Sequence, residues 1–139
     1  FYPLSLHDAL PICKETAPVI AKSLSKKYGW KVARTSLKVR NSANAADEWE
    51  NKVLKSFNER KNKGEDVKPM AYFEAVEVKG RKYFRFMKAI PTGEVCLKCH
   101  GQNIAPEITA KLKDNYPDDK ATGFKLGDVR GAFSIIQPW

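Results

Sequence analysis

Residues 70–90 read MAYFEAVEVKGRKYFRFMKAI, and this stretch predicts a β-hairpin. Two β-prone runs, 70–78 and 82–90, contain a concentration of aromatic side chains and are separated by Lys79-Gly80-Arg81. A short connection that contains glycine suits the tight turn between two antiparallel strands. We therefore predict that the two runs pair as neighbouring strands of an antiparallel sheet.

A helix and a strand are predicted at the N-terminal side of this hairpin. In residues 13–28 the less polar side chains fall within an arc of about 100°, which predicts a helix with one buried stripe that includes Cys13. Pro18 is expected in its first turn or at a kink, and Gly29 at its end. Residues 30–40 alternate as one bent strand or two short ones.

Further elements are predicted on both sides of the hairpin. Asp47 and Glu50 form a capping-box pattern, which predicts a helix that runs to about Lys61. Its inner face comprises Trp49, Val53, Leu54 and Phe57. Residues 106–116 predict a short helix, and residues 129–136 predict a last strand. Helices, an antiparallel sheet and one closing strand indicate an α+β domain.

The length and composition of the chain predict one domain, and its first residues have a separate interpretation. With 139 residues, 42% of them hydrophobic, a single folded domain is expected and no membrane span is predicted, because no apolar run approaches about 18 residues. Residues 5–12 resemble the translation of a short-read sequencing adaptor. We therefore interpret residues 1–12 as a non-native leader and residues 13–139 as the domain, so that an upstream signal peptide or anchor would have been lost.

The most specific motif is Cys96-Leu97-Lys98-Cys99-His100, which has the C-x-x-C-H form of a c-type haem attachment site. In such a site the two thiols bond to the vinyl groups of the porphyrin, and the adjoining imidazole binds the iron axially. Three cysteines are too few for a disulfide scaffold. The motif predicts covalently bound haem c on Cys96 and Cys99, with His100 as an iron ligand.

Three other interpretations of the motif stay open. A thioredoxin-type C-x-x-C normally lies in a βαβ unit, whereas this motif follows a hairpin and Pro91-Thr92-Gly93. A zinc site would use Cys13, Cys96, Cys99 and His100, although Cys99 and His100 are neighbours and would both have to turn toward one ion. A non-haem interaction module is the third.

The remaining haem contacts have several candidates. For the second axial position these are Cys13, Met70, Met87, several lysines and His7 in the leader. The methionines and the cysteine also have ordinary packing interpretations. For the haem propionates, Arg34 and Arg40 are candidates, although each also suits an exposed strand position.

The charge distribution argues against a nucleic-acid partner. The 25 Lys and Arg residues outnumber the 16 Asp and Glu residues and are scattered, as on a solvated surface. In residues 81–86 basic and aromatic residues interleave, but alternation places Phe84 and Phe86 on one sheet face that we expect to cover the core or the haem. The surplus positive charge would instead steer an acidic redox partner.

Several runs resemble one bacterial family. They are Cys13-Lys14, Ala17-Pro18, residues 30–41, Asn44, Trp49-Glu50, the haem motif and Arg130-Gly131-Ala132-Phe133-Ser134. Over nearly everything from Cys13 onward, the chain resembles the bacterial c-type haem domains with a PAS-like fold. The resemblance implies a PAS-like antiparallel sheet flanked by helices. Ala46 departs from the family, where a proline is expected before Asp47, and this implies a looser loop.

The resemblance also implies the axial ligands of the haem iron and the location of the protein in the cell. In that family the motif histidine and an N-terminal cysteine are the axial ligands, and these match His100 and Cys13. Similar proteins are exported haem proteins or extracytoplasmic sensor parts of signalling proteins. We therefore expect a periplasmic or otherwise extracytoplasmic bacterial protein, with a redox partner or a downstream signalling module and with any membrane anchor outside these residues.

Thiolate and imidazole ligation would fill both axial positions of the iron and lower its potential relative to a His/Met haem. We therefore expect a redox or gas sensor and not an enzyme. The helix that carries Cys13 would be the bistable element, bound by ferric iron and released by ferrous iron. An extracytoplasmic electron-transfer cytochrome is the alternative, and a peroxidatic haem with a vacant distal position is a weaker one.

Overall fold

A four-stranded antiparallel sheet organises residues 15–139, the part of the chain that the computed structural model describes. Its strands are β1 (Lys31–Thr35), β2 (Ala71–Val78), β3 (Arg81–Pro91) and β4 (Val129–Pro138), in the spatial order β1-β4-β3-β2. The helices are α1 (Ala17–Tyr28), α2 (Glu48–Asn62), α3 (Glu94–His100) and α4 (Pro106–Asn115), and residues Ser42–Asn44 form a 3₁₀ turn. The predicted α+β class is confirmed. Residues 1–12, His7 among them, and Cys13 lie outside the described residues.

The predicted hairpin is present, with a two-residue turn at Lys79 and Gly80. Their φ values are 51° and 74°, both in the left-handed region, and Val78 pairs with Arg81 across the turn. A tight hairpin turn with positive φ at both central residues matches the right-handed twist of the strands. The turn therefore fixes the register of the whole pair, including Ala75 opposite Phe84.

Helix α2 covers one face of the sheet and forms the core. Asp47 accepts a hydrogen bond from the Glu50 amide at 2.8 Å, and the Glu50 carboxylate accepts one from the Asp47 amide at 2.9 Å, so the predicted capping box is present. The buried core residues from the helix, the sheet and the connecting segments are Val53, Leu54, Phe57, Val67, Met70, Met87, Ala89, Val129 and Ala132. Met70 and Met87 are thus core residues beneath α2, and the cluster includes no residue of the Cys96–His100 motif.

The prediction that the N-terminal helix has a buried stripe is wrong for α1, the part of that helix that the structure describes. The helix has Pro18 in its first turn and ends before Gly29 as predicted, but none of its residues is buried. Ile20 and Tyr28 are 54% and 50% exposed. The reason is that α1 contacts mainly the edge strand β1, where the amide of Val32 donates to Ser25 Oγ at 2.9 Å.

The predicted strand over residues 30–40 ends earlier, at Thr35. Ser36 makes only an isolated bridge with Ala45. Its hydroxyl donates to the Arg130 carbonyl at 2.7 Å and accepts from the Lys38 amide at 3.2 Å. A serine side chain that bonds nearby backbone groups competes with the strand ladder and turns the chain.

The sheet face opposite α2 carries exposed aromatic side chains. Alternation does place Phe84 and Phe86 on one face, but Met87 and Ala89 point to α2, so the two phenylalanines point away from it. Phe84 is exposed and stacks on Trp139, with the ring centroids 4.5 Å apart. This face therefore does not cover the core, and the other expectation, that it covers the haem, stays a prediction. Residues 15–139 contain no helix with the length and apolar character that a bilayer crossing requires.

Candidate functional site

The short helix α3 presents the three residues of the Cys-x-x-Cys-His motif together. It starts after Gly93 and ends at His100, where the amide of Gly101 donates to the Leu97 carbonyl at 3.0 Å. Cys96, Cys99 and His100 occupy positions i, i+3 and i+4 of the helix, and residues at this spacing lie on one helical face. All three are half-buried. The structure therefore brings two thiols and an imidazole to one surface.

A backbone carbonyl fixes the tautomer of His100. Its Nδ1 lies 2.7 Å from the Ala121 carbonyl oxygen, which can only accept a hydrogen bond. The proton is therefore on Nδ1, and Nε2 keeps its lone pair. Burial, together with repulsion from Arg130 and Arg40, lowers the pKa of His100 to about 4. At neutral pH the imidazole is thus uncharged, which is the form that binds a metal ion.

Arg130 faces that lone pair. Its Nη2 lies 3.5 Å from His100 Nε2, its Nη1 lies 3.3 Å from Ser36 Oγ, and its guanidinium stacks over the Phe124 ring at 5.0 Å. Burial, with repulsion from Arg40, lowers the pKa of Arg130 to about 10, and nearby Cys96 acts in the opposite direction. The side chain is still a cation at neutral pH.

Sequence reasoning missed Arg130 as a site residue. The available signal was its position at the start of the run Arg130-Gly131-Ala132-Phe133-Ser134, which belongs to the family resemblance. A Cβ on Gly131 would lie 2.4 Å from the Thr35 carbonyl oxygen, so only glycine permits this close approach of β4 to β1.

Arg40 connects the end of α3 to the segment around Ala121 through hydrogen bonds. Its Nε donates to Asp119 at 3.0 Å, and its Nη2 donates to the carbonyls of Cys99 and Ala121. The side chain is only 11% exposed. Because Ala121 also accepts from His100, Arg40 joins the end of α3 to the carbonyl that orients the imidazole. Arg34, in contrast, is an exposed residue of β1 that lies near enough to Arg130 to lower its pKa.

The other predicted ligands are not brought to this surface by the described residues. Met70 and Met87 belong to the core, and Cys13 and His7 lie outside residues 15–139. Within that range, no three His, Cys, Asp or Glu side chains are arranged to hold a metal ion. The strands on either side of the motif, β3 and β4, pair antiparallel, so the parallel βαβ setting of a thioredoxin-type motif is not formed here.

A pocket of about 210 Å³ shares Phe124 with the site but not the motif residues. It lies between α2 and the segments around Ser36 and Val129. Both lysines of the pocket already have partners within the chain. Lys38 donates a hydrogen bond to the Thr122 carbonyl, and Lys61 pairs with Asp128 at 2.9 Å. The surface of α3, and not this pocket, is therefore the candidate functional site.

Comparisons with known proteins agree with the resemblance read from the sequence. A family model described as Tll0287-like matches residues 3–138. Among solved structures, the crystal structure of the cyanobacterial heme-protein Tll0287 is similar, with 28% sequence identity and a TM-score of 0.70. The match covers 88% of this chain and 70% of that chain. A search of curated proteins found no match. With almost its whole length matched, the chain belongs to the Tll0287-like family.

Proposed function

We propose that this chain is a c-type haem domain in which Cys96 and Cys99 bind the porphyrin covalently and His100 binds the iron. The state of His100 carries the proposal, because its Nδ1 proton is donated to Ala121 and its Nε2 lone pair is left for a metal. The solved relative is described as a heme-protein, which supports haem as the ligand.

The donor set of α3 fits this group. The two thiols and the imidazole share one helical face, and all are half-buried, so they are open to a ligand on one side. When bound, haem supplies one-electron chemistry and an iron centre for small ligands. The chain itself orients the imidazole through Ala121, braces the end of α3 through Arg40 and packs the edge of His100 against Phe124, with the ring centroids 6.3 Å apart.

Cys13 is the second axial ligand in this proposal, on the basis of the family resemblance. A cysteine thiolate stabilises ferric iron and lowers the reduction potential. Cys13 lies shortly before α1, the helix whose described residues include no buried one. A helix with no buried residue can move without disturbing the core.

We propose a redox or gas sensor as the function, with the segment of Cys13 and α1 as the moving element. Ferric iron would hold the thiolate, and reduction would release it and free the distal position. The proposed location is outside the bacterial cytoplasm, where haem is attached to C-x-x-C-H motifs. An electron-transfer cytochrome is the alternative, favoured by the net charge of +9, which suits an acidic redox partner.

Haem attachment is tested by coexpression with a haem-maturation system, followed by intact-mass measurement and a pyridine haemochrome spectrum. We expect one added haem in the wild type and in Cys13→Ala, since Cys13 forms no thioether bond. Cys96→Ser and Cys99→Ser should each lose one thioether bond and shift the haemochrome band. A wild-type chain without added mass would overturn the proposed function.

The sensor is distinguished from the carrier by ligand exchange. We expect the ferrous wild type to bind carbon monoxide, and Cys13→Ala to differ from the wild type in its ferric spectrum. A ferrous protein that binds no carbon monoxide but transfers electrons quickly, at a rate that falls with salt, would favour the carrier. Identical ferric spectra of wild type and Cys13→Ala would remove Cys13 from the site.

A further inference from the structure

The strongest unexplained feature near the site is Arg130, a half-buried cation that forms no ion pair with a carboxylate of residues 15–139. Arg130 has no carboxylate within ion-pair distance among the described residues, whereas Arg40 pairs with Asp119 and Arg85 with Asp47. Its polar contacts, to Ser36, Lys38 and His100, are all long, at 3.3–3.5 Å. A charge removed from water is unfavourable unless it is paired.

The surroundings of Arg130 make an anion more favourable still. Arg40 and Arg34 both lie near enough to repel it, and the opposite effects of Cys96 and Asp119 do not offset this repulsion and burial, since the pKa of Arg130 stays lowered to about 10. Of these three arginines, Arg40 is already bonded to Asp119 and to two carbonyls, and Arg34 is exposed. Of these three, Arg130 is therefore the one that is half-buried and has no carboxylate within ion-pair distance among the described residues.

Its position relates it directly to the proposed haem. The guanidinium donates toward His100 Nε2, the one ring nitrogen with an available lone pair, so it occupies the side of the imidazole where an iron would bind. Iron at Nε2 and a guanidinium at 3.5 Å cannot share that side. The Arg130 side chain must therefore turn away when the metal is bound.

We propose that Arg130, whose Nη2 lies 3.5 Å from His100 Nε2, is the cation that binds a haem propionate when haem is attached. This inference rests on the proposed function and replaces the earlier candidates Arg34 and Arg40 with a different arginine. A propionate carboxylate is the anion that the haem itself brings, and a guanidinium binds a carboxylate with two parallel hydrogen bonds. Arg130 is thus a positioning residue for haem and not an iron ligand.

The test compares Arg130→Met with Arg81→Met, the loss of one exposed arginine at the β2–β3 turn, in haem-free and haem-loaded protein. In the haem-free chain, Arg130→Met should leave the urea midpoint unchanged or raise it, because it removes an unpaired charge. In the loaded protein it should lower the midpoint and the reduction potential, and the propionate bending band in the resonance Raman spectrum should shift. Arg81→Met should leave that band in place.

Arg130→Lys provides the second variant, since it keeps the charge but loses the bidentate geometry. We expect a smaller change in potential than for Arg130→Met, with a shifted propionate band. An unchanged band and potential in both Arg130 variants would overturn this inference, and so would an equal loss of stability with and without haem, which indicates packing alone. A wild type without covalent haem would instead overturn the proposed function.

Discussion

The Ala121 carbonyl decides which nitrogen of His100 is available. Without it, the imidazole could rotate and either nitrogen could carry the proton. Arg40 donates hydrogen bonds to this carbonyl and to the carbonyl of Cys99, and it forms an ion pair with Asp119. The reactivity of the motif histidine is thus set by residues outside the motif.

Arg40→Gln tests how much these hydrogen bonds and the ion pair with Asp119 stabilise the chain. We expect the free energy of unfolding of the haem-free chain to fall by about 2 kcal/mol, because a hydrogen-bonded and nearly buried Asp119 loses its partner. In urea unfolding, the exposed Arg34→Gln should differ from the wild type by less than about 0.5 kcal/mol. Equal losses in the two variants would show that Arg40 acts through net charge alone.

The charge of Asp47 gives a pH-dependent stability. Partial burial raises its pKa, but the hydrogen bonds from Arg85 and the Glu50 amide outweigh this effect, and the net pKa lies below its usual value of 3.8. The ionised form therefore stabilises the native state. This contribution is complete at pH values above the ordinary pKa and is lost as the pH falls through the lower native pKa.

Asp47→Asn isolates that charge, since asparagine is also a good helix cap. We expect the variant to be less stable than the wild type by under about 1 kcal/mol at pH 7, because the pair with Arg85 is partly exposed. In urea titrations the difference should shrink toward zero as the pH falls below about 3.8. A difference that stays constant from pH 7 to pH 2.5 would contradict the assignment.

At the scale of elements, the β2–β3 turn contains one suitable residue and one strained one. Gly80 adopts its φ of 74° without strain, while Lys79 has a φ of 51°, which a side chain with a Cβ adopts with difficulty. Space is not the issue at Gly80, because a Cβ there would meet no atom within 4 Å. Backbone conformation alone therefore decides the effect of substitution.

Two variants of this turn should have opposite effects. Gly80→Ala should lower the free energy of unfolding by about 1 kcal/mol, because alanine disfavours positive φ. Lys79→Asn should raise it by about 0.5 kcal/mol, because Asn-Gly is the preferred pair for this turn. Thermal unfolding of the haem-free chain measures both, and shifts of the same sign would contradict the turn assignment.

At the scale of the whole molecule, the contacts are unevenly distributed. The sheet and α2 share a buried core, while α1 lies against the edge strand β1 with no buried residue. Elements with few buried contacts open more readily than the core. The proposed sensor uses this difference, because a moving N-terminal helix leaves the sheet and the haem motif intact.

Hydrogen exchange measures this difference directly. We expect amides of α1 to exchange about tenfold faster in the ferrous than in the ferric haem-loaded protein, which corresponds to about 1.4 kcal/mol from the lost Cys13 bond. Amides of α2 serve as the internal control and should not change. Equal exchange of α1 in both oxidation states would exclude it as the moving element.

The local features of this protein were predictable from the sequence. The Cys96–His100 spacing, the Asp47 capping box and the turn at Lys79-Gly80 each depend on residues within a few positions of one another, so the pattern contains the whole interaction. The exposure of α1 was not predictable in this way. Periodicity shows that a helix has an apolar stripe, but not whether another element covers it.

The tertiary structure alone decided the chemistry around His100. Its two ring nitrogens face Ala121 and Arg130, which are 21 and 30 residues away in the chain. No local pattern encodes such pairs, because they depend on where β4 and the loop before it are placed by sheet pairing. The sequence by itself determined the donors and the family; the fold determined the tautomer of the histidine, the hydrogen bonds of Arg40 and the position of Arg130 beside Nε2.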